Sequence, residues 1–355
     1  MRSEARTLDI IETARLKPAK FRDERVNMAH GAGGKATQSL IEGLFAPAFA
    51  SEALEPLGDA GVLSDLGVAI TTDSFVVKPI RFPGGSIGEL AVNGTVNDLA
   101  VSGARPVALT LSLVLEEGLP ADELRAEVEA IADAARRGEV QVVAGDTKVV
   151  ERGHADSMYI CTTGIGTLDP RASLSTNGIH PGDRILVSGR VGDHGMAIML
   201  SRGEFELGAD ISSDTRSLWP AADALLEAAG DSLHCMRDAT RGGVASVVNE
   251  LARASSVAIV LREAAVPVDP AVAGAAEILG LDPLYVASEG VLVAFVAAEA
   301  AEAALSALRS VPGCEQAAEV GEVKSEPPGM VLVETGFGGR RVMDMLVGDP
   351  LPRIC

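Results

Sequence analysis

The sequence predicts an α/β (α+β) fold in two domains, followed by a short C-terminal arm. Three observations carry this. Of the 355 residues, 47% are hydrophobic but only 3% are aromatic, so the core must be built from Ala, Val, Leu and Ile, which suits buried strands under helices. The chain is long enough for two full cores. One internal stretch, DPRASLSTNGIHPGD, is rich in Pro, Gly, Ser and Asn and reads as a boundary between two halves of similar texture.

In the first half, GVAITTDSFVV reads as a strand and ELAVNGTVNDLAVSG as a helix closed by Gly103. PVALTLSLVLE is a second strand. ADELRAEVEAIADAARRG has apolar residues at helical spacing and ends at Gly138. VQVVAGDTKVV and MYICTTGIGTL are further strands. In the second half, DRILVSGRVG, SVAIVLR, GVLVAFVA and GMVLVETGF read as strands. HGMAIMLSRG starts a helix, RDATRGGVASVVNELARAS is a turn into one, and EAAEAALSALRS is another. Expected boundaries are an extension over 1–26, a first domain over 27–168, a second over 169–345, and a mobile arm over 346–355.

The formal net charge of −20 argues against nucleic acid and anionic membrane as main partners. An anionic nucleotide remains compatible, because amides, lysines and Mg²⁺ reverse the field within one pocket. No apolar run is long enough to span a bilayer, and the first residues lack an apolar signal region. The four cysteines (Cys161, Cys235, Cys314 and Cys355) form no C-x-x-C pair. A cytoplasmic setting with reduced thiols follows as an expectation.

Candidate chemistry falls in five places. HGAGGK, from His30 to Lys35, is a Gly-rich loop but not a Walker A loop, because Ala29 and Ala36 stand where a glycine and a hydroxyl are needed. Lys35 is its candidate phosphate ligand. Asp73, Asp98 and Asp146 each adjoin an apolar run; carboxylates at such rims cost desolvation unless paired or cation-bound, and together they suit Mg²⁺ on phosphates. Caps and turns explain any one of them equally well. GDTKVVERG puts Asp146 and Lys148 on one strand face. In RDATRGG, Asp238 precedes a Gly-rich helix start, and in SEG, Glu289 stands before a strand. Cys355 is the last residue, on an arm stiffened by Pro350 and Pro352. Such a thiol is either a bystander or a reactive group on a tether. His30 and His154 are the two histidines close to these stretches.

HGAGGK, TTDSFVVKP, NGTVNDLAVSGARP, VAGDTKVVERG, RDATRGGVA and ASEG, in this order, resemble the ATP-binding superfamily of aminoimidazole ribonucleotide synthetase, selenophosphate synthetase and thiamine-monophosphate kinase. The ending Pro-Arg-Ile-Cys is similar to the HypE family of hydrogenase maturation factors. The resemblance runs from about Asn27 to Cys355. It implies an aminoimidazole ribonucleotide synthetase-like fold, a homodimer through the first domains, and ATP with Mg²⁺ near the dimer interface. It places Lys35, Asp73, Asn97, Asp98, Asp146 and Asp238 around the cofactor, with Asp73, Asp98 and Asp146 on the metal. Cys355 is then the carrier of a carbamoyl group received from the carbamoyltransferase HypF. ATP drives its dehydration to a thiocyanate, with Lys148 and Glu289 near the docked arm, and the cyano group passes to iron on a HypC–HypD scaffold. The alternatives are a small-molecule synthetase of the same fold, which has no use for Cys355, or a non-enzymatic metal carrier using the terminal thiol.

Overall fold

The computed structural model describes residues 20–203, 210–348 and 351–355. Most of the expected N-terminal extension lies outside the described residues. The first half forms a five-stranded sheet in the order β1-β2-β7-β5-β6: β1 is Gly61–Leu63, β2 Val68–Phe75, β5 Ala104–Glu116, β6 Gln141–Val150 and β7 Met158–Leu168. A two-residue hairpin, β3 (Arg81–Phe82) and β4 (Gly85–Ser86), precedes the first long helix. A short helix α1, Lys35–Leu40, comes before the sheet. Helices α2 (Ile87–Val101) and α3 (Ala121–Arg137) supply the cover. Helix α2 is apolar nearly all round, with thirteen buried residues, because it lies between the first sheet and the second domain. Helix α3 carries an apolar stripe on a charged surface, and its first turn holds Asp122 and Glu123 while its last holds Arg136 and Arg137, each favourable to the helix dipole.

The second half forms a seven-stranded sheet in the order β14-β13-β10-β12-β8-β11-β9. Its strands are β8 Arg184–Val187, β9 Leu233–Asp238, β10 Ala258–Arg262, β11 Leu292–Val296, β12 Ala318–Lys324, β13 Met330–Glu334 and β14 Arg340–Met343. Helices α4 (Asp193–Ser201), α5 (Trp219–Ala229), α6 (Gly243–Ala254), α7 (Pro270–Leu279) and α8 (Ala301–Ser310) complete it. One core joins α6 to the sheet through Val244, Val248, Leu251, Ile259 and Phe295. The other joins α5 and α8 through Leu225, Leu226, Ala304 and Leu308. Burying both faces explains why β11 is an unbroken apolar run.

Two features differ from expectation. The segment from Met28 to α1 packs on the second domain, where the Lys35 N–H donates to Leu346 O at 3.0 Å and Ser246 Oγ to Gly33 O at 3.0 Å. The C-terminal arm, expected to be mobile, is docked. Leu351 and Ile354 are buried in a core that joins the two domains, among Phe75 of the first and Val286 and Ala287 of the second. Its apolar side chains, absent from a plain solvent-exposed tether, are the physical reason.

At the far edge of the first sheet, β6 is open. Every residue from Gln141 to Val149 is exposed, including Val142, Val143 and Val149, and among the described residues no strand pairs its outer side.

Candidate active site

The site lies where the end of β9 meets β2 and α2. Asp59 precedes β1, Asp98 projects from α2 and Asp238 ends β9, and oxygens of these three carboxylates all lie within 4.8 Å of one another. Arg237 Nε is 2.8 Å from Asp59 Oδ2, and Thr71 Oγ1 is 2.7 Å from Asp98 Oδ2. Burial pushes Asp98 well above the ordinary carboxylate range, and Asp238, Asp73 and Asp59 push it further. Asp238 is likewise held high by burial and then by Asp59. Asp73 is raised by burial, against the nearby Arg241. Several buried carboxylates with so little counter-charge form an arrangement that a hard divalent cation relieves. The donor set therefore fits Mg²⁺.

These groups line a cavity of about 800 Å³, together with Gly33, Gly34 and Thr37 from the Gly-rich loop and Thr240 to Gly242 from the turn before α6. Gly33 is required there: its φ is +73°, and a Cβ would stand 2.9 Å from Arg241 Cβ. At Gly242 a Cβ would stand 2.0 Å from Ser246 Oγ. The two turns thus bring bare backbone to the cavity wall, which suits phosphate.

A second cavity, about 160 Å³, adjoins the first and is lined by Ser74, Val76, Arg241, Tyr285 and Cys355. Here the arm continues the line of β2. The Val76 N–H donates to Cys355 O at 3.0 Å and the Lys78 N–H to Arg353 O at 3.2 Å. Arg353 donates to Val76 O and pairs with Asp156, while Arg202 donates to the carbonyls of Pro352 and Arg353. His194, fully buried, places Nε2 2.7 Å from Ile354 O and Nδ1 2.8 Å from Ser213 Oγ. Burial lowers its pKa to about 4, so the ring is neutral and Nε2–H donates to the arm. Glu289 is 2% exposed, and its Oε1 has no hydrogen-bond partner among the described residues. Burial, then Asp238 and Asp73, hold its pKa well above the usual carboxylate range. Its backbone N–H donates to Asp214 Oδ1 at 3.0 Å.

Of the residues expected at the cofactor, Asp73, Asp98 and Asp238 gather at the first cavity; Glu289 and Cys355 gather beside Arg241. The others do not join them. Asn97 is fully buried and fully used: Nδ2 donates to Arg216 O and Glu289 O, and Oδ1 accepts from the Leu218 N–H. It stitches α2 to the second domain instead of binding a cofactor. Lys35 turns to the surface and pairs with Asp344 at 2.7 Å, so the loop offers backbone instead. Asp146 and Lys148 pair with each other on the open edge of β6. That edge stands three strands from β2, about 14 Å at ordinary strand spacing. The carboxylate trio thus contains Asp59 and Asp238 where Asp73 and Asp146 were expected. Asp59 was missed, although it too is an acid close to an apolar strand, two residues before β1. His30 is clasped by Asn27 and Asp23, a structural role. His154 sits in the loop after β6, and no hydrogen bond ties it to either cavity. Cys235 is buried and its thiol is pushed up to about 12, which makes it inert.

The sequence matches the AIR synthase related protein family twice, by its N-terminal domain over residues 57–168 and by its C-terminal domain over 180–333. Carbamoyl dehydratase HypE of Azotobacter vinelandii is 48% identical over 94% of this chain and 98% of that protein. This chain belongs to the HypE family. Among solved structures, HypE in complex with ATP is similar at 45% identity and TM-score 0.79, covering 93% of this chain and 100% of that one. A HypE–HypF complex is similar at 42% identity and TM-score 0.83, covering 87% and 100%. The HypE-like chain described here thus has the two-domain AIR synthase fold that its motifs imply, and among the described residues no helix is long and apolar enough to cross a membrane.

Proposed function

We propose that this chain is an ATP-dependent carbamoyl dehydratase that carries a carboxamide on the Cys355 sulfur and converts it to a thiocyanate, the source of the cyanide ligand of [NiFe]-hydrogenase iron. The observation that carries the reading is the docking of Cys355 in a cavity that adjoins the Gly-rich, carboxylate-walled one. The arm's backbone is held at the Cys355 oxygen by the Val76 N–H and at the Ile354 carbonyl by His194, which sets Cys355 beside the phosphate site.

Asp59, Asp98 and Asp238 are the residues that would hold Mg²⁺, with Asp73 beside them. Bound there, Mg²⁺ would neutralise charge on the phosphates of ATP. The protein's own contribution is positional. The bare backbone at Gly33, Gly34 and Gly242 receives the polyphosphate, Arg202 and His194 fix the arm, and burial of Glu289 provides a carboxyl group in the dry part of the cleft. Burial and then the charge of Asp238 and Asp73 hold the proton on Glu289; with that charge balanced by the cation, Glu289 is the group placed to take a proton from the amide nitrogen.

The open edge of β6 is the proposed homodimer surface. A long, flat edge with exposed valines is a template for a second copy, and it carries Asp146 and Lys148. In such a dimer these two residues act from the subunit junction, not from within one chain's cavity. HypF, which is seen with HypE in the solved complex, is the proposed carbamoyl donor, and a HypC–HypD complex the acceptor. The compartment is proposed to be the cytoplasm.

The test is peptide mass spectrometry of the C-terminal segment. The protein is carbamoylated by the HypF-type partner with carbamoyl phosphate, separated from all small molecules, and then given MgATP. An adduct on Cys355 that loses one water only on addition of MgATP establishes carrier and dehydratase together. An adduct-free Cys355 with an active partner returns the lead to a small-molecule synthetase.

A further inference from the structure

The dehydration proposed above gathers negative charge on a transferring phosphoryl group in a cavity that Asp73 and Asp98 already line. A cation beside that group offsets the charge. The described arginines near the site are mostly committed elsewhere. Arg353 is held by Asp156 and Val76 O, Arg237 by Asp59 and Glu250, and Arg253 by Glu42.

Arg241 is different. Among the described residues it is the one that lines both cavities, the carboxylate-walled one and the one holding Cys355. Its backbone is in the left-handed region, φ +48°, uncommon for a residue with a Cβ. The surrounding turn enforces this: the Ala239 N–H donates to Val291 O, the Ser288 N–H to Ala239 O, and the Gly243 N–H to Thr240 O, each at 2.9 Å. Strained positions held so firmly cluster at functional sites. The side chain donates from Nη1 to Gly31 O at 2.8 Å, and Nη2 is 3.6 Å from Asp73 Oδ1. A guanidinium has five N–H donors, so most of the fork is available to the two cavities it borders. Cys355 is the strongest influence raising its pKa, against burial, and Asp73, Glu289 and Asp98 add to it.

We infer that Arg241 is a catalytic residue of the proposed dehydration, its guanidinium bridging the γ-phosphate of ATP and the carbamoylated Cys355. The inference rests on the reading under Proposed function. In the first step the carboxamide oxygen bonds to the γ-phosphorus. The bond from that phosphorus to its bridging oxygen breaks, the electron pair leaves with ADP, and the amide nitrogen gives one proton to a base, which passes it to solvent before the second step. In the second step the carbon–oxygen bond breaks, phosphate departs with the pair, and the second N–H proton goes to a base as the C≡N bond forms. Negative charge grows on the transferring and departing phosphate in both steps, on the side of the carbon that Arg241 borders. A planar fork suits two phosphate oxygens better than a lysine does.

The experiment uses the full chain with Cys355 carbamoylated chemically by cyanate, which removes any need for a transferring partner. After desalting, MgATP is added, and water loss from the C-terminal peptide is followed by mass spectrometry in parent, Arg241→Gln and Arg241→Lys. Affinity for a non-hydrolysable ATP analogue is measured alongside. Arg241→Gln is expected to slow water loss about 10²–10³-fold, the usual effect of removing one preorganised charge-stabilising donor, with a much smaller loss of analogue affinity. Arg241→Lys is expected to fall between, because it keeps the charge without the fork. Water loss at the parent rate in either variant overturns the inference, as does a loss of analogue affinity equal to the loss of rate. If Arg241→Gln does not fold, the lysine variant decides by the same criteria. A parent adduct that never loses water brings down the functional reading itself, before any variant is compared, and the role of Arg241 with it.

Discussion

The two ends of the cleft are built on opposite electrostatic plans. At one end Asp59, Asp98, Asp238 and Asp73 crowd together; burial raises all their pKa values, and repulsion from neighbouring carboxylates adds to it at Asp59, Asp98 and Asp238. At the other end the arm is satisfied almost group by group: Arg202, His194, Val76 and Lys78 account for its last carbonyls, and Asp156 answers Arg353. A folded protein tolerates the first arrangement only where a ligand is expected. The second is a closed latch. The lesson is that the cofactor end is incomplete without its ligands, while the carrier end is complete and has to be opened.

The largest expected effect breaks the incomplete end. Asp238→Asn removes one of three proposed cation ligands, and Mg²⁺-dependent ATP turnover should fall about 10²-fold or more. The same change removes a buried like charge, so the thermal midpoint of the cation-free protein should rise. A variant that keeps its turnover would show that the trio holds no metal. The comparison also has an outer limb. Val143→Lys places a charge on the open edge of β6, and light scattering should report a dimer for the parent and a monomer for the variant. An unchanged mass would place the dimer contact elsewhere.

The closed end is tested by His194→Ala. It leaves the Ile354 carbonyl without its buried donor, a cost of about 1–3 kcal/mol. Alkylation of Cys355 by iodoacetamide should then quicken about tenfold, the equivalent of 1.4 kcal/mol, while affinity for an ATP analogue stays put. A thiol no more reactive than in the parent would mean that the latch does not depend on this imidazole.

Much of this was readable in the sequence where local physics speaks. The β-branched runs of β2, β5, β10 and β11 and the stripe of α3 needed no tertiary knowledge. Strand β9 was hidden because LHCMRD mixes polar residues into a buried strand, and β12 because Gly321 interrupts AEVGEVK; a Cβ at Gly321 would stand 2.3 Å from Val260 O, a contact visible only in three dimensions. At the site, motif and order pointed to Asp98, Asp238, Glu289 and Cys355. Asp59 and Arg241 escaped because their importance comes from which distant residues they meet. The docked arm escaped for the same reason: nothing in GDPLPRIC names Val76 or His194 as its partners.

The smallest effect concerns the wall between the two ends, where Ser213 touches His194 and Asp214 holds the Glu289 amide. Burial raises the Asp214 pKa to about 6 and lowers that of His194 to about 4. The two act on stability with opposite signs. Between pH 4 and 6 native Asp214 keeps a proton that the unfolded chain has lost, so its contribution falls as pH rises. Over the same window unfolded His194 takes up a proton that the native ring refuses, so its contribution rises with pH. These two contributions should therefore nearly cancel there. Asp214→Asn keeps the acceptor for the Glu289 amide and removes one titration. Its stability should climb from pH 4 to 6 by on the order of 1–3 kcal/mol relative to the parent, read from urea midpoints across the range. A parallel pair of curves would show that Asp214 is ionised in the folded protein, and that the wall holds a charge where the structure places a proton.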